Sequence, residues 1–252
     1  MVDPIDVLKA IPKEVAIKSY EDALQPALRQ FGEFAEDTAK TLRLALFPIK
    51  GTAYLYDKLS NKLVKAIDKV PNDKLVPPSN NFILPIVDRL LLNPDDSVIS
   101  DLYIKLLSSG MNQDKVKLTH PAFFNIIGQL SPDEALLISI LASQPLSLYF
   151  KKIGDDAIVT SDEIQVHLQR IEKQYFGKIN SQKTAIHPEQ FQFGSNLFIY
   201  IDHLQSLGLL EYVNNPYPEY QFDQSSLTPG YQFWFVRLSS FGKMFYDACV
   251  GT

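Results

Sequence analysis

The side chains able to do chemistry are few and scattered. The four histidines, His120, His167, His187 and His203, include no pair four residues apart. The two-histidine helix face of a zinc enzyme is therefore absent, and a metal site would have to assemble across the fold. His120 reads as a helix-start residue beside Pro121. His167, one turn after Glu163, reads as a partner in a local hydrogen bond. Cys249 is the single cysteine, which excludes an internal disulfide and a thiolate metal cluster; it reads as a buried structural thiol. The acid pairs Asp95-Asp96 and Asp133-Glu134 sit where helices start, and there the helix dipole favours negative charge. No G-x-S-x-G elbow, phosphate loop or dinucleotide fingerprint occurs. No catalytic, cofactor-binding or metal-ligating residue is assigned, and no cofactor. The chain leans away from enzymes, and catalysis would need a dispersed site.

The sharpest surface pattern is a run of lysines. Lys58, Lys62, Lys65 and Lys69 recur at steps of four, three and four, which puts them on one narrow helix face. Two readings compete: contact with an anionic partner, or a solvated face whose lysine stems cover the core edge. Both expect all four lysines to be exposed. The whole chain has 24 basic and 29 acidic residues, net −5. Residues 1–130 are balanced and residues 131–252 carry the acidic excess. That balance argues against nucleic acid, whose affinity rests on phosphate neutralisation. It favours a protein partner or self-association, with an anionic membrane surface as a further contact for the lysines. No window of about 18 apolar residues suggests a membrane span. The N-terminal residues do not read as a signal peptide, and the lone cysteine fits a reducing compartment, so the expected location is cytoplasmic.

Helices must position these residues. Residues 13–46 carry apolar positions at steps of three and four, with Pro26 forcing a break near Gln25. A second helix is expected over 52–70, with Leu55, Leu59, Leu63, Ala66 and Val70 inward. Pro71, Pro77 and Pro78 then impose an extended connection. Asn93-Pro94 predicts a helix over 94–109 stopped by Gly110, and Pro121 one over 121–129. Ser131 and Glu134 form a capping box opening a helix that ends near Ser143.

Beyond Ser131 the texture changes. Thr160 and Glu163 form another capping box, for a helix over 161–176. Residues 191–207 predict an apolar helix, covered on most faces and ended by Gly208. Leu209–Val213 and Tyr231–Leu238 read as paired strands, and Ser239 caps a last helix. The fold expected is mainly α: an N-terminal helical domain over 1–130, then a C-terminal winged-helix-like α+β domain with a small β-hairpin over 131–252. A winged helix would use 191–207 to read DNA, yet that segment contains Asp202 and no Lys or Arg. A nucleic-acid-binding regulator is thus the alternative, and protein contact the leading reading.

Four segments between Leu46 and Leu137 carry a family resemblance. They are Leu46-Phe47-Pro48, Lys69–Pro78 (KVPNDKLVPP), Asp101–Met111 (DLYIKLLSSGM) and His120–Glu134 (HPAFFNIIGQLSPDE). The tail Leu238–Cys249 (LSSFGKMFYDAC) adds a fifth. In order and spacing the chain resembles the bacterial abortive infection alpha family. The resemblance implies a helical bacterial protein, with some members linked to phage resistance, and it transfers no catalytic residue. The function expected is non-enzymatic phage resistance through protein–protein contacts.

Overall fold

The computed structural model describes residues 61, 62, 64–78, 80–94, 97–154, 158–174, 185–214, 228 and 230–251. The expected helix over 13–46, residues 52–60 with Lys58, and Asp95-Asp96 lie outside them. The described residues are mostly helical with one small three-stranded antiparallel sheet. The chain divides into two compact units, 1–129 and 130–252.

In the first unit, residues 64–67 are helical and bury Ala66 and Ile67. Helix α1 then spans Asn80–Leu92, where the sequence suggests no element. Pro85 inside it argues against a helix. Ile83, Ile86 and Leu90, at steps of three and four, are fully buried, and this apolar stripe outweighs the lost donor. Helix α2 spans Val98–Gly110 and starts later than expected, because Ser97 supplies the cap: its hydroxyl accepts from the Ser100 N–H at 3.1 Å. Gly110 is the last residue of α2, not a left-handed stop. A Cβ there would lie 2.2 Å from the Phe82 ring, so glycine serves the close approach of α1 and α2. A short helix α3, Ala122–Ile127, follows, and the Tyr103 hydroxyl of α2 bonds the Phe124 carbonyl at 3.1 Å.

The expected exposure of the lysine run fails at Lys62. Its side chain is only 2% exposed, while Lys65 and Lys69 are exposed. The Lys62 ammonium donates to the carbonyls of Leu90 at 2.7 Å and Asn93 at 3.1 Å. The Leu90 carbonyl is in the last turn of α1, where carbonyls have no helical partner and the dipole is negative. A cation reaching that end satisfies them, which is why a lysine is tolerated in the core.

The second unit runs helix–strand–helix–helix–strand–strand–helix. Its elements are α4 (Pro132–Ala142), β1 (Ser147–Lys152), α5 (Ser161–Gln174), α6 (Leu197–Ser206), β2 (Leu210–Val213), β3 (Tyr231–Leu238) and α7 (Ser240–Cys249). The sheet order is β1-β3-β2, all antiparallel, with Phe150 opposite Phe233 and Tyr212 opposite Val236. Strand β1 is an addition to the expected hairpin. One sheet face sends Leu148, Phe150, Phe233 and Phe235 against Ile164, Leu168 and Ile171 of α5. His167 lies among these, its ring 5.9 Å from Phe150 and 4.3 Å from Tyr231. Its Nδ1 is buried with no hydrogen-bond partner, so the expected local bond is absent.

The caps form as their spacing dictates. Ser131 and Glu134 bond reciprocally at 2.7 and 3.2 Å. Ser239 accepts from the Gly242 N–H at 2.9 Å, and Gly208 adopts a φ of 73° at the end of α6. A Cβ on Gly242 would sit 1.9 Å from the Leu209 carbonyl, so α7 lies directly against the chain entering β2.

Asp133 does more than start a helix. Buried to 7% exposure, it accepts from the N–H groups of Gln192 and Phe193, both at 2.9 Å, and from the Tyr200 hydroxyl at 3.0 Å. Those contacts hold residues 192–193 out of a helix. Gly194 then turns so tightly that a Cβ would come within 2.2 Å of the Pro188 carbonyl. Helix α6 therefore begins at Leu197, not at 191.

Two substitutions measure these anchors. Asp133→Ala strands three donors and should cost about 3–5 kcal/mol in urea unfolding, with Asp133→Asn intermediate because its amide nitrogen cannot accept. Lys62→Met keeps the stem but leaves two carbonyls without their cation; it should cost about 1–3 kcal/mol in the same measurement.

Candidate functional site

The face of α6 follows from how the helix is tethered. Leu197, Tyr200, Ile201 and Leu204 form its inner stripe and are buried. The expectation that the segment is covered on most sides holds only for this half. Phe193 is 57% exposed, Phe198 36% and Ile199 62%. Asp202, Gln205 and Ser206 complete the outer surface. Helix α6 carries no lysine or arginine.

Beside this face lies a groove of about 320 Å³ between β1, the chain before α6, and α6 itself. Ile158, Val159, Pro188, Leu197 and Phe198 line it. Its edge is an aromatic cluster. Tyr149 stacks on Trp234 at 5.1 Å, and Phe198 lies 6.4 Å from Tyr149 and 6.5 Å from Trp234. The Lys151 ammonium sits 4.3 Å from the centre of the Phe198 ring, a cation–π contact that keeps this exposed ring in place.

Hydroxyls tie the cluster to α6. The Tyr149 and Tyr212 oxygens are 3.0 Å apart, and Tyr212 donates to Asp202 at 3.4 Å. Since Tyr212 spends its proton on a carboxylate, Tyr149 is the donor between the two. Burial pushes the Tyr149 phenol well above its ordinary range, and the bond it donates to Tyr212 pushes further. Both phenols remain neutral at physiological pH, so their hydroxyls orient the rings and neither oxygen is a phenolate base.

Two groupings resemble catalytic sets and have other work. Ser161 Oγ lies 2.9 Å from His187 Nδ1 and 2.7 Å from Glu189 Oε2. The hydroxyl has one proton, which the carboxylate takes, so the imidazole Nδ1–H must donate to Oγ. That is opposite to nucleophile activation. Glu189 also accepts the Ser161 N–H at 3.0 Å, making the group a cap on α5. Glu163 accepts from the Thr160 N–H at 2.8 Å and the Tyr231 hydroxyl at 2.8 Å, with Lys152 Nζ at 3.0 Å. These contacts, the Thr160 N–H foremost, hold its carboxyl down to about 2.

The remaining candidates are dispersed. His120 Nδ1 accepts the Ala122 N–H at 3.1 Å, a helix-start role. His203 Nδ1 meets Glu134 at 2.5 Å, a pairing of α6 with α4 that sequence spacing did not reveal. Cys249 is buried, and burial pushes its thiol up, away from reactivity. Among the described residues no group of three or more His, Cys, Asp or Glu side chains could hold a metal ion. Among them, too, no helix is long and apolar enough to cross a membrane.

These features define a mostly helical protein with a small antiparallel sheet and an apolar helix face at its surface. The abortive infection alpha profile matches residues 51–249, and the chain belongs to that family. No match was found among curated proteins or among solved structures.

The Glu163 contacts have a pH signature. A carboxyl whose folded pKa is depressed stabilises the fold above its unfolded value, near 4.5, and that stability is lost as pH falls toward about 2. Urea unfolding of the wild type across this window should show a steeper loss than Glu163→Gln, which lacks the titrating group.

Proposed function

We propose that this chain is a phage-resistance protein of the abortive-infection type that acts through protein–protein contact and not through catalysis. Membership of the abortive infection alpha family supports the biological role. The observation that carries the contact reading is the outer face of α6, where Phe198 and Ile199 are exposed beside Phe193 and a groove of mixed apolar and polar lining. Exposed aromatic and aliphatic side chains around a concave surface are what a protein partner covers. The partner is another protein or a second copy of this chain, met in the cytoplasm.

We further propose a helical domain over 1–130 and a winged-helix-like domain over 131–252. The order helix–strand–helix–helix–strand–strand and the sheet order β1-β3-β2 support it. Helix α6, directly before the β2–β3 pair, occupies the position of a recognition helix. That topology favours a second reading, a nucleic-acid-binding regulator. Phosphate neutralisation needs cations, and α6 offers Asp202 in their place.

Phage challenge tests the first reading. Cells carrying the wild-type gene should survive as a population, and Phe198→Asp with Ile199→Asp should lose at least about tenfold in protection while the purified variant keeps its helical circular dichroism. Protection unchanged by the pair would sink the α6 face as the contact. Salt-dependent DNA binding by the wild-type protein would favour the second reading.

A further inference from the structure

Strand β1 lies at the edge of its sheet, and residues 185–186 cover only its start. There Ala185 runs parallel to β1, and the Ile186 N–H donates to the Leu148 carbonyl at 2.7 Å. Backbone groups of an antiparallel strand face a given neighbour at every second residue. Leu148 therefore turns its N–H and carbonyl outward, away from β3, and Phe150, two residues on, does the same. The Ile153 N–H, which donates to the Gly230 carbonyl at 2.9 Å, keeps the intervening positions on the β3 side. A continued parallel ladder would bring the N–H of residue 188 to the Phe150 carbonyl. That residue is Pro188, which has no N–H, and the chain turns there into the short Pro188–Gln190 helix. The ladder stops and the groove opens at this point, with Phe150 and Pro188 both in its wall.

The two sides of this slot differ. Phe150 and Val159 belong to the core between the sheet and α5. Tyr149 and Lys151 point to the α6 side, where both meet the Phe198 ring. An extended chain laid beside β1 alternates in the same way: the residue opposite Phe150 faces Ile158 and Val159, and its two neighbours face Tyr149, Lys151 and Phe198. Among the described residues Lys151 is the only charged side chain lining the groove, so the complementary neighbour is acidic. A second copy of β1 would instead bring Lys151 and Lys152 of the two chains together, which discourages edge-to-edge pairing. We propose that the open edge of β1 takes an extended segment of another protein as an added strand, with an apolar residue opposite Phe150 and an acidic one beside Lys151. This deepens the protein-contact reading and rests on it.

Fluorescence-anisotropy titration of the full chain tests it, with a labelled pentapeptide, Thr-Glu-Val-Glu-Thr, blocked at both ends. The glutamates flank the valine, so either strand direction presents one to Lys151. The peptide should bind saturably with a Kd below about 1 mM. Methylating the backbone nitrogens of the valine and of the glutamate after it removes the ladder donor in either direction; binding should weaken at least about tenfold. A peptide with lysines in place of the glutamates should bind about tenfold more weakly, and Lys151→Glu should reverse that preference. Ile158→Asn should weaken the original peptide, whereas Val166→Asn, exposed on α5 outside the groove, should not. No saturable binding, equal binding of the methylated peptide, or an unchanged preference in Lys151→Glu would overturn the proposal. So would self-association that excludes the peptide, which would place a second copy at the edge. A failed titration with phage protection still lost in the α6 variants would remove the added strand and leave the contact reading. Peptide binding with protection intact in those variants would support the added strand and remove the α6 face.

Discussion

The Asp133 carboxylate accepts two backbone N–H groups, from Gln192 and Phe193, and the Tyr200 hydroxyl, all within 3.0 Å. Burial pushes its pKa up, and these three donors more than offset that, holding it below the ordinary carboxylate value. The ionised group is the only one able to accept all three bonds at once. Its neighbour Glu134 serves Ser131 with one oxygen and His203 with the other. One turn of α4 therefore sets where α6 begins and how it is rotated. The outward position of Phe198 and Ile199 follows from that rotation, and so does the groove beside them.

The same dependence explains what the residues reveal when read in order. Caps are local: Ser131 with Glu134, Thr160 with Glu163, and Ser239 with Gly242 each close within three residues, and each forms. Strand β3 is legible from its own aromatic and β-branched run. The contacts that escape such a reading span long stretches of chain. Lys62 is indistinguishable by spacing from Lys65 and Lys69, and only the end of α1, 28 residues on, takes it into the core. Pro85 conceals α1, because the burial of Ile83, Ile86 and Leu90 is a tertiary gain.

The α6 face was legible as an element and not as a surface. Residues 191–207 are apolar on nearly every side, a pattern that suggests cover all round. Asp133 removes the first turn from the helix, and the cation–π contact of Lys151 holds Phe198 beside the groove without covering it. Tyr149, Trp234 and Tyr212, drawn from three strands, share a sheet face only because β3 pairs with both β1 and β2. No spacing rule joins three side chains from three distant segments.

That central place of β3 also governs the order in which the molecule can be built. Strands β1 and β2 never pair with each other; each waits for Tyr231–Leu238. During synthesis the apolar side chains Leu148 and Phe150 leave the ribosome long before Phe233 and Phe235, their partners across the sheet. Pairing between residues so far apart in the chain is slow, and an unpaired strand edge invites association with other chains meanwhile. The sheet of the second unit can therefore close only once β3 has emerged, and until then the apolar faces of β1 and β2 have no strand partner within the sheet.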